Sequence, residues 1–268
     1  MAWNRSNHDS LRRVFREGFV AGDVAEPLVS FDATTSCSEA VEVLNARGFD
    51  VAGVRREGLA GGYAERSELT AGSCGDHLRA FDESDVVPES MPLAHLVLRL
   101  ARSPRLFVRV LGSVSGIVTL DDLQKPPVRM WLFGMVTIIE MRMTRLIERF
   151  CPDDAWRQFL SASRLEKAGL LQEERRKRNQ NPGLLDCLQF SDQGQIVART
   201  EAIRGLTRFA SRRQVEQMVR ALESLRNSLA HSQDIVSCDW RTIVALSEDI
   251  DRVVAGTEQV QAALGETS

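Results

Sequence analysis

Paired cysteines are the plainest lack in this chain. The five present (Cys37, Cys74, Cys151, Cys187 and Cys238) are odd in number and scattered, with no Cys-x-x-Cys among them. That pattern excludes a disulfide framework and a structural zinc site, and no metal site is expected. It fits a reducing, cytoplasmic compartment. An excess of charge is also missing. The net charge is −3 over 268 residues, so no basic field advertises nucleic acid. Residues 1–125 hold 14 Lys/Arg against 18 Asp/Glu, and residues 126–268 hold 20 against 19, a difference too small to name a partner. Long apolar runs are absent too. The longest, 130–139, is interrupted by Thr137 and closed by Glu140 and Arg142. It is shorter than the ~20 residues needed to cross a bilayer, so no membrane is expected. The first ten residues are polar, without the apolar centre of a signal peptide. What remains is a globular composition, 43% apolar and 26% charged, with length for two domains.

The first half reads as one plan written twice, over 24–69 and 86–123. Each copy offers a short extended piece, a helix, a strand, a glycine turn, a second strand and a step into a closing helix. In the first copy the helix follows Asp32-Ala-Thr-Thr-Ser and places Ala40, Val41 and Leu44 on one side. In the second the helix spans 91–100, Leu106-Phe-Val-Arg-Val is the strand, and Gly112-Ser-Val-Ser-Gly is the turn.

The second copy ends in Gly116-Ile-Val-Thr-Leu-Asp-Asp-Leu123, a closing strand with a Thr-x-x-Asp step. On these residues the half resembles a tandem pair of cystathionine-β-synthase-type (CBS) domains. The resemblance implies two βαββα repeats that bind an adenine nucleotide (ATP, ADP or AMP) or a related ligand between them, as a regulator. Thr119 would meet phosphate or ribose, and Asp122 the ribose hydroxyls. A hydroxyl and free N–H groups at a helix start suit phosphate, and a carboxylate can accept two hydroxyls. The first copy departs from the pattern, with Glu65 in place of the Thr and Glu68 in place of the Asp. Two carboxylates repel phosphate, so that side is expected to be empty or to bind something else. The pair would serve either as a sensor or as a dimerising scaffold.

Lys125-Pro126-Pro127 breaks the chain. The reading is therefore 1–125 as the paired α+β domain and 126–268 as an all-α, up-and-down helical bundle. Its first helix, 128–150, is apolar nearly all round and should be central. Thr137, Glu140 and Thr144 draw a polar seam along it. Glu140 would turn towards Arg226 or His231, or else stay exposed beside Thr144 or Arg145. A helix capped by Pro152-Asp-Asp-Ala-Trp is expected to run through Phe159 and Leu165 to the densest basic run, Arg175, Arg176, Lys177 and Arg178. Such a run is a solvated helix end or a track for an RNA backbone; no aromatic is interleaved to stack bases. Further readings are a short helix over 184–190, a turn at Ser191-Asp-Gln-Gly and a helix over 196–209. Ser211 caps the next helix, and Asp239 caps the last.

The helix after Ser211 carries Val215, Met218, Val219, Leu222 and Leu225 as its inner stripe and ends in Arg226-Asn-Ser-Leu-Ala-His231. Asn227 and His231 are four apart and share a face, with Arg226 one step round. A permanent cation and an imidazole that moves protons near neutral pH suit a phosphodiester. This Arg-x4-His motif, with a Glu on an early helix, resembles the HEPN domain (higher eukaryotes and prokaryotes nucleotide-binding) over about 128–256. The resemblance implies a metal-independent endoribonuclease, acting as a homodimer through both domains, in a toxin or phage-defence setting. Two copies of the motif would share one cleft. Arg226 would stabilise charge on phosphorus, His231 would act as base or acid, Asn227 would orient and Glu140 would assist, leaving a 2′,3′-cyclic phosphate. The competing expectation is a non-catalytic nucleotide-sensing adaptor that binds a partner protein through its helices. A third is pairing with a nucleotidyltransferase or other defence partner, in which this HEPN-type chain is toxin or antitoxin to the second chain.

Overall fold

The computed structural model describes residues 13–15, 17–205 and 211–230. Its contacts divide the chain into two compact units, Met1–Trp131 and Leu132–Ser268. The division falls inside one long helix, a few residues beyond the Pro126-Pro127 break. His231, Phe209 and the helix expected after Asp239 lie outside the described residues.

The first unit opens with β1 (Glu26–Pro27) and then runs one plan twice. The first copy is β2 (Ser30–Asp32), α1 (Cys37–Arg47), β3 (Val51–Arg56) and β4 (Leu59–Glu65). The second is β5 (Val86–Pro88), α2 (Leu93–Leu100), β6 (Arg105–Val110) and β7 (Ser113–Thr119). In each copy the strands flanking the helix are parallel, as a helical crossover requires, and the next pair is an antiparallel hairpin. The two hairpins share one register. Val51↔Glu65 through Arg56↔Leu59 recurs as Arg105↔Thr119 through Val110↔Ser113, with a bulge after Val54 in one and after Val108 in the other.

Each hairpin reverses on two left-handed residues, Glu57-Gly58 (φ 53 and 84) and Leu111-Gly112 (φ 48 and 88). Such a turn matches the twist of its strands and closes at once. The turn expected over 112–116 is therefore shorter, and β7 is already under way at Ser113. β1, which precedes both copies, pairs antiparallel with β7 of the second, so the sheets run β1-β7-β6-β5 and β2-β3-β4.

The helices form for local reasons. Ser36 accepts the N–H of Glu39 at the start of α1, and Gly48 at φ 68 closes it. Cys37, Ala40 and Leu44 turn inward onto Ala52, Val54 and Ala64. Val41, expected on that inner side, packs against the same cluster while staying partly exposed. The closing helix expected in each copy is only a 3₁₀ turn, Arg66–Glu68 and Asp121–Gln124. In the second copy Pro126 starts the next α-helix almost immediately, which leaves no length for another.

That helix, α3 (Pro126–Phe150), keeps both prolines in its first turn, where no amide is needed. Trp131, Leu132, Met135, Ile139, Met143 and Ile147 are buried, in line with a central helix. Met130 and Phe133 are not, at 61% and 50% exposed, and they start the same stripe that continues through Thr137, Glu140 and Thr144.

Beyond α3 the helical reading needs four corrections. Pro152–Phe159 is an irregular 3₁₀ stretch with Asp153 and Asp154 at positive φ, and α4 (Ala162–Lys177) starts afresh after Ser161. The single helix expected there is thus broken. The short helix expected over 184–190 is one 3₁₀ turn, Leu185–Cys187, with Leu188 extended. Ser191-Asp-Gln-Gly is no turn: it lies within α5 (Phe190–Arg199). Asp192 caps that helix by accepting the N–H of Gln189, and is itself paired with Arg164. Gly194 is there for close approach. A Cβ on it would sit 2.6 Å from Val219 Cγ2 and nearer still to Cγ1.

Thr200 then interrupts the helix expected over 196–209, before α6 (Glu201–Arg204). The last described helix is α7 (Arg212–Ala230). Ser211 and Gln214 cap it reciprocally, each side chain accepting the other's backbone N–H. Val215, Met218, Val219, Leu222 and Leu225 are all buried, as the spacing predicts. Among the described residues no helix is long and apolar enough to cross a membrane.

Candidate functional site

Within the first unit a cleft of about 490 Å³ opens where the two copies meet. Leu28, Val51 and Ile117 give it an apolar lining, with Phe49 near its rim. Thr119 and Asp122, the two residues of the Thr-x-x-Asp step, both line it. Their chemistry is more occupied than the motif suggests. Asp122 Oδ2 accepts the Thr119 N–H at 2.7 Å and the Thr119 hydroxyl at 3.0 Å. Asp122 Oδ1 meets Lys125 Nζ at 2.8 Å. A carboxylate only 9% exposed is thereby fully engaged.

Lys125 also donates to the carbonyl of Val24 at 2.6 Å and pairs with Glu26 on β1. Burial pulls its pKa down, but Asp122 and Glu26 outweigh that, and the ammonium ends above the ordinary lysine value. In the sequence Lys125 reads only as part of a proline joint. Its spacing of three from Asp122 was the available signal.

Arg105 is the other residue the motif did not announce. It stands opposite Thr119 in the β6–β7 ladder and pairs with Glu65 of β4. Its guanidinium also lies 5.7 Å over the Tyr63 ring. Glu65 occupies the position of Thr119 in the first copy, so the first-copy carboxylate is held by a second-copy arginine. Glu68, the counterpart of Asp122, is paired with Arg79. Both departures from the motif therefore have arginine partners.

The second unit brings two of the four helical candidates together. Glu140 on α3 and Arg226 near the end of α7 approach with Oε1 and Nη1 3.8 Å apart. That is an ionic contact rather than a hydrogen bond. The side chains are 27% and 45% exposed, so the pair remains open to solvent. Thr137 and Thr144 spend their hydroxyls on carbonyls one turn back, those of Phe133 and Glu140, which leaves the Glu140 carboxylate to Arg226. Asn227 is exposed beside Arg226.

The basic run ends α4 and is partly spent on structure. Arg175 donates to the carbonyl of Asp186 at 3.1 Å, and Arg178 pairs with Glu174 one turn back. Arg176 and Lys177 are exposed. Among the described residues no three His, Cys, Asp or Glu side chains come together so as to hold a metal.

No family model matches the chain, and no curated protein matches it. Solved structures similar to it include the CBS domain of a bacterial CNNM/CorC-family Mg2+ transporter in complex with ATP, at 16% identity and TM-score 0.35, covering 47% of this chain and 96% of that one. A CBS-pair protein from Arabidopsis thaliana is similar at 20% identity and TM-score 0.34, covering 39% and 91%. A CBS domain pair in complex with 5′-methylthioadenosine and S-adenosyl-L-methionine is similar at 16% identity and TM-score 0.34, covering 39% and 95%.

Proposed function

We propose that the first unit is a ligand-sensing CBS-type pair that holds an adenine nucleotide or related adenosyl compound between its copies. One observation carries this reading: the cleft of about 490 Å³ is lined by Thr119 and Asp122 and sits between two hairpins of identical register. A volume of that size suits a ligand of a few hundred daltons. Titration calorimetry of the full chain with adenine-containing ligands tests it. Binding is expected for at least one of them. In Ile117→Trp, which fills the cleft, that binding is lost; heat evolved unchanged would place the ligand elsewhere.

A second reading concerns the helical unit, and the approach of Glu140 to Arg226 favours it. In this reading the unit is a HEPN-type, metal-independent endoribonuclease, acting as a homodimer in a toxin or defence setting. Arg226 neutralises the phosphorane, Glu140 holds the guanidinium in place, Asn227 orients, and His231 moves the proton of the 2′-hydroxyl. Arg176 and Lys177 supply salt-dependent contact with the RNA backbone. Incubation with a generic RNA in the presence of a chelator is the test. Cleavage lost in Arg226→Ala and His231→Ala supports the nuclease. Cleavage retained in both excludes this site, and no cleavage with or without a bound adenosyl ligand leaves the adaptor that binds a partner protein.

A further inference from the structure

The charges around the first-unit cleft bear on which ligand it accepts. Its lining carries four carboxylates, Glu26, Asp50, Asp121 and Asp122, and one cation, Arg105. The cations within reach are already committed. Arg105 holds Glu65, and Lys125 holds both Asp122 and Glu26. Arg66, which backs Asp50, binds that carboxylate at 2.5 Å and Asn45 at 2.7 Å. Asp121 is exposed in the lining, and among the described residues its carboxylate has no hydrogen-bond or ion-pair partner.

Several of the lining donors are committed as well. The N–H and hydroxyl of Thr119 both go to Asp122. The N–H of Leu28 goes to Ser115. The adjoining helix is only the 3₁₀ turn Asp121–Gln124, which offers no sustained dipole. A phosphate entering here would have to break an existing ion pair or face unneutralised carboxylate across a space comparable with the screening length of physiological salt. The acceptors, by contrast, are plentiful. The free carboxylate of Asp121 suits ribose hydroxyls or an ammonium group, above a floor of Leu28, Val51 and Ile117.

We infer that the cleft selects an adenosyl ligand without phosphate, one whose 5′ substituent is neutral or cationic, and discriminates against nucleoside mono-, di- and triphosphates. This rests on the reading of the cleft as an adenine-ligand site and narrows it. The selectivity is electrostatic. It therefore weakens as ionic strength rises, and it relaxes when a lining carboxylate is neutralised.

Titration calorimetry of the full chain at low salt decides the matter, with adenosine, 5′-methylthioadenosine and S-adenosylmethionine set against AMP and ATP. The expected result is binding of the phosphate-free compounds, with AMP and ATP weaker by roughly tenfold or more. The ratio of AMP to adenosine affinity is expected to rise several-fold in Asp121→Asn, and also in wild-type protein at higher salt. AMP or ATP binding as tightly as adenosine overturns the selectivity and leaves the adenine reading standing. Binding of none of the five overturns the adenine reading and the selectivity with it. An unchanged AMP-to-adenosine ratio in Asp121→Asn overturns the electrostatic basis.

Discussion

Lys125 joins three segments with one ammonium group: the Val24 carbonyl, the Glu26 side chain on β1, and Asp122 behind β7. Replacing it with alanine leaves Asp122 without its ion partner at 9% exposure. Urea denaturation of Lys125→Ala is therefore expected to show a loss of about 1–3 kcal/mol. The pH dependence follows from the raised folded-state pKa. The contribution is complete below the ordinary lysine value and disappears as pH climbs through the folded one, so wild type and Lys125→Ala should converge in strongly alkaline buffer. Glu148 illustrates the opposite economy. Although Glu148 is exposed, partial desolvation pushes its carboxyl up and Asp186 adds to that, against Arg145, so the effect is small and solvent-screened. A carboxylate raised on folding adds stability only at low pH and costs it above the folded value. Glu148→Gln should then melt slightly higher than wild type at neutral pH, by on the order of 1 °C, with the gain vanishing near pH 4. A lower melting temperature at pH 7 would show that the charge of Glu148 stabilises the fold.

At the level of elements, the glycine within α5 shows what a sequence hides. Ser191-Asp-Gln-Gly has the composition of a turn, yet Asp192 serves as a cap and Gly194 lets α5 close on Val219 of α7. A glycine required by a neighbouring helix looks the same, read locally, as one required by a turn. Gly194→Ala is expected to cost about 1–3 kcal/mol in chemical denaturation, because the β-branched Val219 cannot turn its methyls away. Val219→Ala in the same background should recover part of that loss; no recovery would place the cost elsewhere. What could be read directly was set by period and local chemistry. The stripe from Val215 to Leu225 and the cap at Ser211 depend on residues three or four apart. What could not be read depends on distant partners. Arg105 meets Glu65 across forty residues, and Lys125 meets the Val24 carbonyl across 101. The approach of Glu140 to Arg226 was legible only because a charge on a largely apolar helix needs a partner.

On the scale of the whole molecule, the contacts form two compact units whose boundary falls within α3. The first has its own apolar clusters, one around Leu44 and Val54 and another around Phe107. The second is held by the inner stripe of α7 against α5 and by the buried side of α3. Two cores of this kind make a test of autonomy possible. Lys125→Ala perturbs only groups of the first unit, and Gly194→Ala only groups of the second. Hydrogen exchange should accordingly quicken in β1 and β7 with the first variant and in α5 and α7 with the second. The double variant should lose the sum of the two single losses to within about 0.5 kcal/mol, as sites without shared partners do. A coupling beyond that would mean that α3 transmits strain from one core to the other. The same strand-by-strand measurement would then be the place to look for an adenosyl ligand in the first unit altering the surroundings of Arg226 in the second.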